Sequence, residues 1–188
     1  MKYYEIGRCG VETTKFCEPE LFGEWEEEPL FSNDWKNRGL KQPVTMTVKN
    51  KYNPGDYPLA RSKLVSQKLL DVIKQLNKDY EALPTRLYYK EKEPIWDVYY
   101  SMIFPEYEVL NLKKSKYTSG IDYGIDDIGV ISIDKIVLSR EKLSYVDVAN
   151  NIFAMEEAST LILCTEIAKD MIEAAGIKDV SFTELPVE

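Results

Sequence analysis

The sequence predicts an α+β protein, with a mixed β-sheet packed by two main helices at about 62–79 and 165–175 and an irregular segment near the N-terminus. Three observations predict this class. Two stretches repeat apolar residues at helical spacing, and each is followed by a strand-like run. Several other stretches alternate apolar and polar residues with period two. Residues 8–60 are rich in Gly, Pro, Asn and charge, the composition of turns rather than of regular elements. At 188 residues the chain is read as a single domain, 1–188, with a loop-rich part at 8–60 and an α/β core at 61–188.

In order, "MKYYEI" is an opening strand. Within 8–60 the best strand is Val44–Asn50, where Val and Met alternate with Thr and Lys. "RSKLVSQKLLDVIKQLNKDY" is the first main helix; Leu64, Val65, Leu69, Val72, Ile73 and Leu76 share a face, Ser62 or Ser66 caps it, and Pro84 stops it. "TRLYY" and "IWDVYYSMIF" are strands, the second because Trp96, Val98, Tyr100, Met102 and Phe104 alternate. "YEVLNLKKSKYTSG" is partly extended and then a loop. "GVISIDKIVLS" alternates, and the apolar run Ile136–Leu138 at its end implies an interior strand. Ser139 caps a short helix, and "NIFAME" and "TLILC" form a hairpin. Thr165 caps the second main helix, whose face is Ile167, Ala168, Met171, Ile172 and Ala175, and Gly176 supplies the left-handed residue that ends it. Val180–Leu185 follows as a strand, expected parallel to Leu161–Cys164 through the helix. "LVSQKLLDVIKQL" aligns with "LCTEIAKDMIEAA" at Ser66/Thr165, Asp71/Asp170 and Ile73/Ile172, a match that shared helix rules also produce.

Composition excludes several functions. The chain has no histidine, which removes Ser–His and Cys–His catalysis and the usual zinc ligand sets. There is no G-x-x-x-x-G-K-[ST], G-x-G-x-x-G or G-x-S-x-G. Cys9, Cys17 and Cys164 form no C-x-x-C pair, and reduced thiols fit a cytoplasmic protein. Cys164 lies in an apolar strand and is read as a small core hydrophobe. The N-terminus has no apolar h-region, and no run approaches the ~20 apolar residues of a membrane span. Net charge is -8, and residues 121–188 hold 14 acidic against 5 basic side chains. Such a field repels nucleic acid and attracts basic partners; it also simply keeps a surface solvated. No catalytic residue, metal ligand or cofactor is assigned.

Two segments are candidate partner-binding surfaces. "FGEWEEEPLFSNDW" sets Trp25 and Trp35 among acidic residues that include Glu26 and Glu27, the arrangement of a charged, aromatic hot spot or of a loop tucking its Trp side chains onto the core. "GIDYGIDDIG" gathers Asp122, Asp126 and Asp127 among glycines without the register of a calcium loop. An acidic binding loop is one reading, and a carboxylate-based metal-dependent hydrolase is the alternative. A self-associating structural module is a third.

"MIFPEYEVLNLKKSKY", "IDKIVLSREKL", "NNIFAM" and "CTEIAKDMIEAAGIKDVSF" carry a resemblance to immunity proteins of bacterial polymorphic-toxin systems, a family of small α/β domains. The matching positions are Phe104-Pro105, Leu110-Asn111, Ser115, Ile136-Val137-Leu138, Phe153, Thr165, Gly176-Ile177, Val180 and Phe182, over roughly residues 60–185. Thr165 replaces the usual Ser, a harmless cap exchange. Asp179 stands where Gly is expected, which puts the turn before the last strand in question. The resemblance implies a non-catalytic cytoplasmic inhibitor that occludes a cognate toxin. Its partner would be basic, as nucleases are, and it would bind neither nucleic acid nor membrane. Reversing the charge of Asp122, Asp126 and Asp127 together is expected to slow association with such a toxin and flatten its salt dependence, measured by stopped-flow kinetics; unchanged rates would remove that loop from the interface.

Overall fold

A computed structural model of the chain describes residues 1–8, 19–21, 23, 43–49, 55–57, 63–121 and 128–188. Strand β1 spans Tyr3–Arg8, β2 Glu20–Leu21, β3 Val44–Val48 and β4 Leu64–Ser66, leading into helix α1, Gln67–Leu76. Then come β5 (Glu81–Tyr89), β6 (Glu93–Ile103), β7 (Glu106–Tyr107), β8 (Lys116–Ile121) and β9 (Ile128–Lys135). The chain ends with α2 (Arg140–Leu143), β10 (Ile152–Met155), β11 (Ala158–Thr165), α3 (Glu166–Ala174) and β12 (Val180–Leu185). The described strands make two five-stranded sheets, ordered β12-β1-β11-β10-β7 and β2-β3-β5-β6-β4, and a ribbon of β8 and β9. Each sheet is mixed, with one parallel pair, β10–β7 in the first and β3–β5 in the second. This is the α+β class.

The first main helix begins later than its apolar spacing predicts. Leu64 and Val65 belong to β4, paired with Ser101 and Tyr100 of β6. Their side chains suit a helix stripe or a strand equally, and the sheet pairing decides. Ser66 is then the cap: its hydroxyl oxygen accepts from the Leu69 N–H at 3.2 Å and its own proton goes to Asp56 Oδ1 at 2.7 Å. Pro84 does not stop the helix, which ends at Leu76 with Asn77 as its cap. The proline lies inside β5, exposed and opposite Tyr100, one residue before β3 pairing starts at Thr85. A residue lacking an N–H is tolerated where one flank has no described strand alongside.

The strands around α3 are parallel, as expected, but they are not neighbours. β1 lies between β11 and β12 and runs antiparallel to both. The same plan recurs around α1: β6 lies between β4 and β5, antiparallel to each. A helix of nine or ten residues thus carries the chain across an inserted strand. β9 is not an interior strand. It pairs with β8 alone among the described strands, and the buried residues are the ones that follow it, Val137 and Leu138. They thread between 109–111 and the C-terminal residues through Asn111 N–H to Val137 O and Leu138 N–H to Pro186 O, both 2.8 Å.

The largest apolar cluster joins the two sheets and both helices, drawing Ile6, Leu69, Ile73, Met102, Ile162 and Ile172 into one layer. Each fully buried side chain of this size contributes about 1.5–3 kcal/mol. β6 is buried on both faces at its end: Met102 enters this cluster, while Tyr99 enters a second one with Met46, Leu83 and Leu87. A third cluster, around Leu110, Leu138, Phe153 and Leu163, lies on the far face of the first sheet.

Three asparagines tie the halves together. Asn77, just past α1, donates its amide to Ile152 O and accepts the Ile152 N–H at 2.9 Å. Asn150 bonds the Asp79 N–H at 2.9 Å, the Asp79 carboxylate at 3.0 Å and the Tyr107 hydroxyl at 3.1 Å. Asn151 donates to Leu76 O at 2.9 Å and accepts the Thr165 hydroxyl at 2.8 Å. Asn77 and Asn150 are buried, and the Ile152 groups that Asn77 meets are buried with it, whereas Asp79 is exposed. Asn77→Ala is expected to cost about 2–4 kcal/mol, because it strands both backbone groups of Ile152; a lowered urea midpoint with unchanged slope would report it, and a loss under ~1 kcal/mol would contradict it.

Candidate partner-binding surface

Trp25, Glu26, Glu27, Trp35, Asp122, Asp126 and Asp127 all lie outside the described residues, so the structure neither gathers nor separates them. What is described is their frame. Glu20 and Leu21 pair with β3 at the edge of the second sheet, and Ile121 and Ile128 pair at the end of the ribbon whose connection carries the three aspartates.

Two described surfaces have the shape or charge for a partner. The first lies where β6 outruns β4. Register there shifts so that Trp96, Asp97 and Val98 oppose Arg86 alone, a bulge that turns Val98 outward to 54% exposure. An open groove of about 700 Å³ lies to one side, lined by Pro84, Leu87, Ile95, Tyr99 and the charges of Arg86 and Asp97. A notch of about 420 Å³ lies beside it, lined by Asp56, Asp97 and Asp179 with Lys68 and Lys178. Asp56 is held by Ser66 and by the Lys178 N–H at 3.0 Å, and the Tyr99 hydroxyl donates to Gly55 O at 3.2 Å. Gly55 has φ 83, and a Cβ there would collide with the Asp179 carboxylate, so glycine is required on both counts. Burial, then the charges of Asp97, Asp56 and Asp179, push the Tyr99 phenol upward.

The second surface is the solvent face of α3. Glu166, Ile167, Asp170, Glu173 and Ala174 are exposed, while Ala168 and Ile172 are buried. The expected apolar face was therefore too wide: Ile167 sits about 100° round the helix from Ala168 and is 51% exposed. Lys169 leans the other way, 5.7 Å from the Tyr4 ring centroid and 5.9 Å from that of Phe182, and bonds Glu173 at 2.7 Å. Sequence reading missed Asp56, Asp97, Val98 and Asp179 as neighbours, because they come from separate segments and only the tertiary fold joins them.

Ser66 and Asp56 share the notch and a hydrogen bond of 2.7 Å, and the same Ser66 oxygen caps α1. Among the described residues no group of three or more His, Cys, Asp or Glu side chains is placed to hold a metal ion, and no helix is long and apolar enough to cross a membrane. A family model described as immunity protein family (Imm11) matches residues 12–186. The chain belongs to this immunity protein family. Comparison with curated proteins gives no match.

The Imm11 match reaches further toward the N-terminus than the resemblance described above, which covers roughly residues 60–185 with its quoted motifs beginning at Met102. Those motifs prove to be structural. Leu110 and Leu138 are fully buried and bridge each other, and the Ser115 hydroxyl bonds both backbone groups of Val137, at 3.0 and 3.1 Å. Phe153 is fully buried against Tyr107, edge to face at 5.6 Å. Asp179 adopts φ 64, the left-handed conformation that glycine favours, so the turn survives the departure at that position.

Two buried titratable groups bear on stability rather than chemistry. Cys164 is fully buried, and burial pushes its thiol up to about 12, which fits a core residue and not a nucleophile. Lys63 is buried at 9% exposure with φ 50; burial lowers its pKa from the ordinary 10.5, and Glu106 only partly opposes this. The unfolded chain then holds the Lys63 proton more tightly than the folded one. Stability from this group therefore rises with pH between its depressed folded value and 10.5. Lys63→Met is expected to stabilise the immunity protein at neutral pH, by a margin that shrinks as pH approaches 10.5. Urea midpoints of both proteins across that range would measure it, and a margin that grows with pH would contradict it.

Proposed function

We propose that this immunity protein binds a cognate toxin in the cytoplasm and neutralises it by covering its working surface, with no bond made or broken. The observation that carries this reading is the family match over residues 12–186. The charge supports it: with net charge -8 and 14 acidic against 5 basic side chains in residues 121–188, the chain favours a cationic partner such as a nuclease domain. Exposed Glu141, Asp147, Glu156 and Glu166 place part of that acidity at the surface. An acidic inhibitor of a basic toxin gains mainly in association rate and in selectivity. Family membership favours a binding role over catalysis.

Co-expression with the toxin domain encoded by the neighbouring reading frame tests this. The expected outcome is restored growth, a complex that co-purifies, and an association rate that falls about tenfold or more between low and high salt. Failure to protect cells and to co-purify would overturn the reading.

A further inference from the structure

We propose that the solvent face of α3 is where the toxin docks, with Ile167 as apolar anchor and Glu166, Asp170 and Glu173 pairing with lysine or arginine side chains of a cationic partner surface. This rests on the immunity reading above. Glu166, Asp170 and Glu173 recur at intervals of four and three, so they form one stripe along the helix, and Ile167 and Ala174 run beside it. The stripe is acidic, apolar-edged and exposed.

The fold itself does not ask for Ile167 or Glu173 on this face. Glu166 in the first turn suits the helix, but Ile167 is left in water beside a carboxylate, Glu173, that works against the helix end. α3 has no basic residue in its last turn, where unpaired carbonyls concentrate negative charge; instead Glu173 stands there. α1, built on the same strand–helix–strand plan, carries Lys74 in its last turn. Lys169 offsets Glu173 at 2.7 Å and Asp170 at 3.7 Å in part, yet its side chain lies toward Tyr4 and Phe182 and is only 24% exposed. A face that gives up local stability on charge while keeping an apolar residue in water has the composition of a binding surface.

The competing surface is less selective. In the groove Asp97 is balanced by Arg86, and in the notch three carboxylates face Lys68 and Lys178. These linings are less negative than the α3 face, where three carboxylates stand against Lys169, the one basic residue of the helix. A second copy of this chain is not the occupant of the α3 face, because two identical acidic stripes repel. A cationic toxin is the partner whose charge complements it.

The test uses the full-length protein and the toxin domain from the neighbouring reading frame. Ile167→Ser is expected to weaken binding about tenfold or more. Asp170→Lys with Glu173→Lys is expected to slow association by a similar factor and flatten its salt dependence. Both should stay folded with a melting temperature close to that of the wild type, because exposed ion pairs such as Lys169–Glu173 contribute little. That outcome separates loss of contact from loss of fold. Glu156→Lys, an exposed acid elsewhere in the last third, should change binding less than about twofold. In the wild-type complex, hydrogen exchange across residues 165–176 should slow. Wild-type affinity retained by both α3 variants, or unchanged exchange over 165–176, would overturn the proposal even if a variant misfolds. Absence of binding by the wild-type protein would instead overturn the immunity reading, and this proposal with it.

Discussion

The placement of the two strand–helix–strand units depends on the hydrogen bonds of Asn77, Asn150 and Asn151. Apolar burial drives the sheets and helices together, but it is non-directional and would tolerate a slide or rotation between them. The asparagines remove that freedom. A carboxamide presents a donor and an acceptor in one plane, so Asn77 can satisfy the N–H and C=O of Ile152 as a neighbouring strand would. Each bond adds only about 1 kcal/mol net, but a buried partner left unmet costs 1–3 kcal/mol. The penalty for the wrong arrangement is therefore larger than the gain for the right one, which is what specificity requires.

The two units that these residues join follow one plan. In each, a strand ends at a hydroxyl residue, Ser66 or Thr165, whose oxygen accepts the N–H three residues on. In each, the helix crosses an inserted antiparallel strand. The buried positions correspond too: Leu69 and Ile73 in α1 match Ala168 and Ile172 in α3. What differs is the outer face. α1 exposes Lys68, Asp71 and Lys74, while α3 exposes Glu166, Asp170 and Glu173. The shared plan fixes the packing, and the polar faces are left to differ in charge.

Local signals were legible in the sequence and distant ones were not. Ser66, Ser139, Thr165 and Gly176 mark helix ends because capping involves residues three or four apart, and each was identified in advance, Ser66 as one of two candidates. The start of α1 was missed because Leu64 and Val65 satisfy both periods, and only β6, some 35 residues on, resolves them. The insertion of β1 between β11 and β12 pairs the first residues with the last, which no window can see. The same holds for the notch: Asp56, Asp97 and Asp179 are unremarkable where they stand in the chain, and meet only at the end of β4. Ile167 was assigned to the core because 3.6-residue spacing allows a wider apolar arc than the contact uses.

The asparagines and α3 are mechanically connected. Asn151 accepts the Thr165 hydroxyl proton, and the same oxygen accepts the Ala168 N–H, so one side chain of the clasp orients the first turn of α3. At the other end Lys68 of α1 bonds Gly176 O at 2.6 Å. α3 is thus fixed at both termini by groups from elsewhere in the fold, and its outer side chains stand on a rigid base. Rigidity lowers the entropy lost when a surface engages a partner, because less has to be ordered at the moment of contact. An inhibitor that must capture its target quickly benefits from charge for the approach and from preorganisation for the hold. In α3 the residues that supply charge come from the outer stripe, and the residues that supply stiffness come from the core it rests on. The two can therefore change independently: substitutions in the stripe leave the caps, the clasp and the apolar layer beneath as they are.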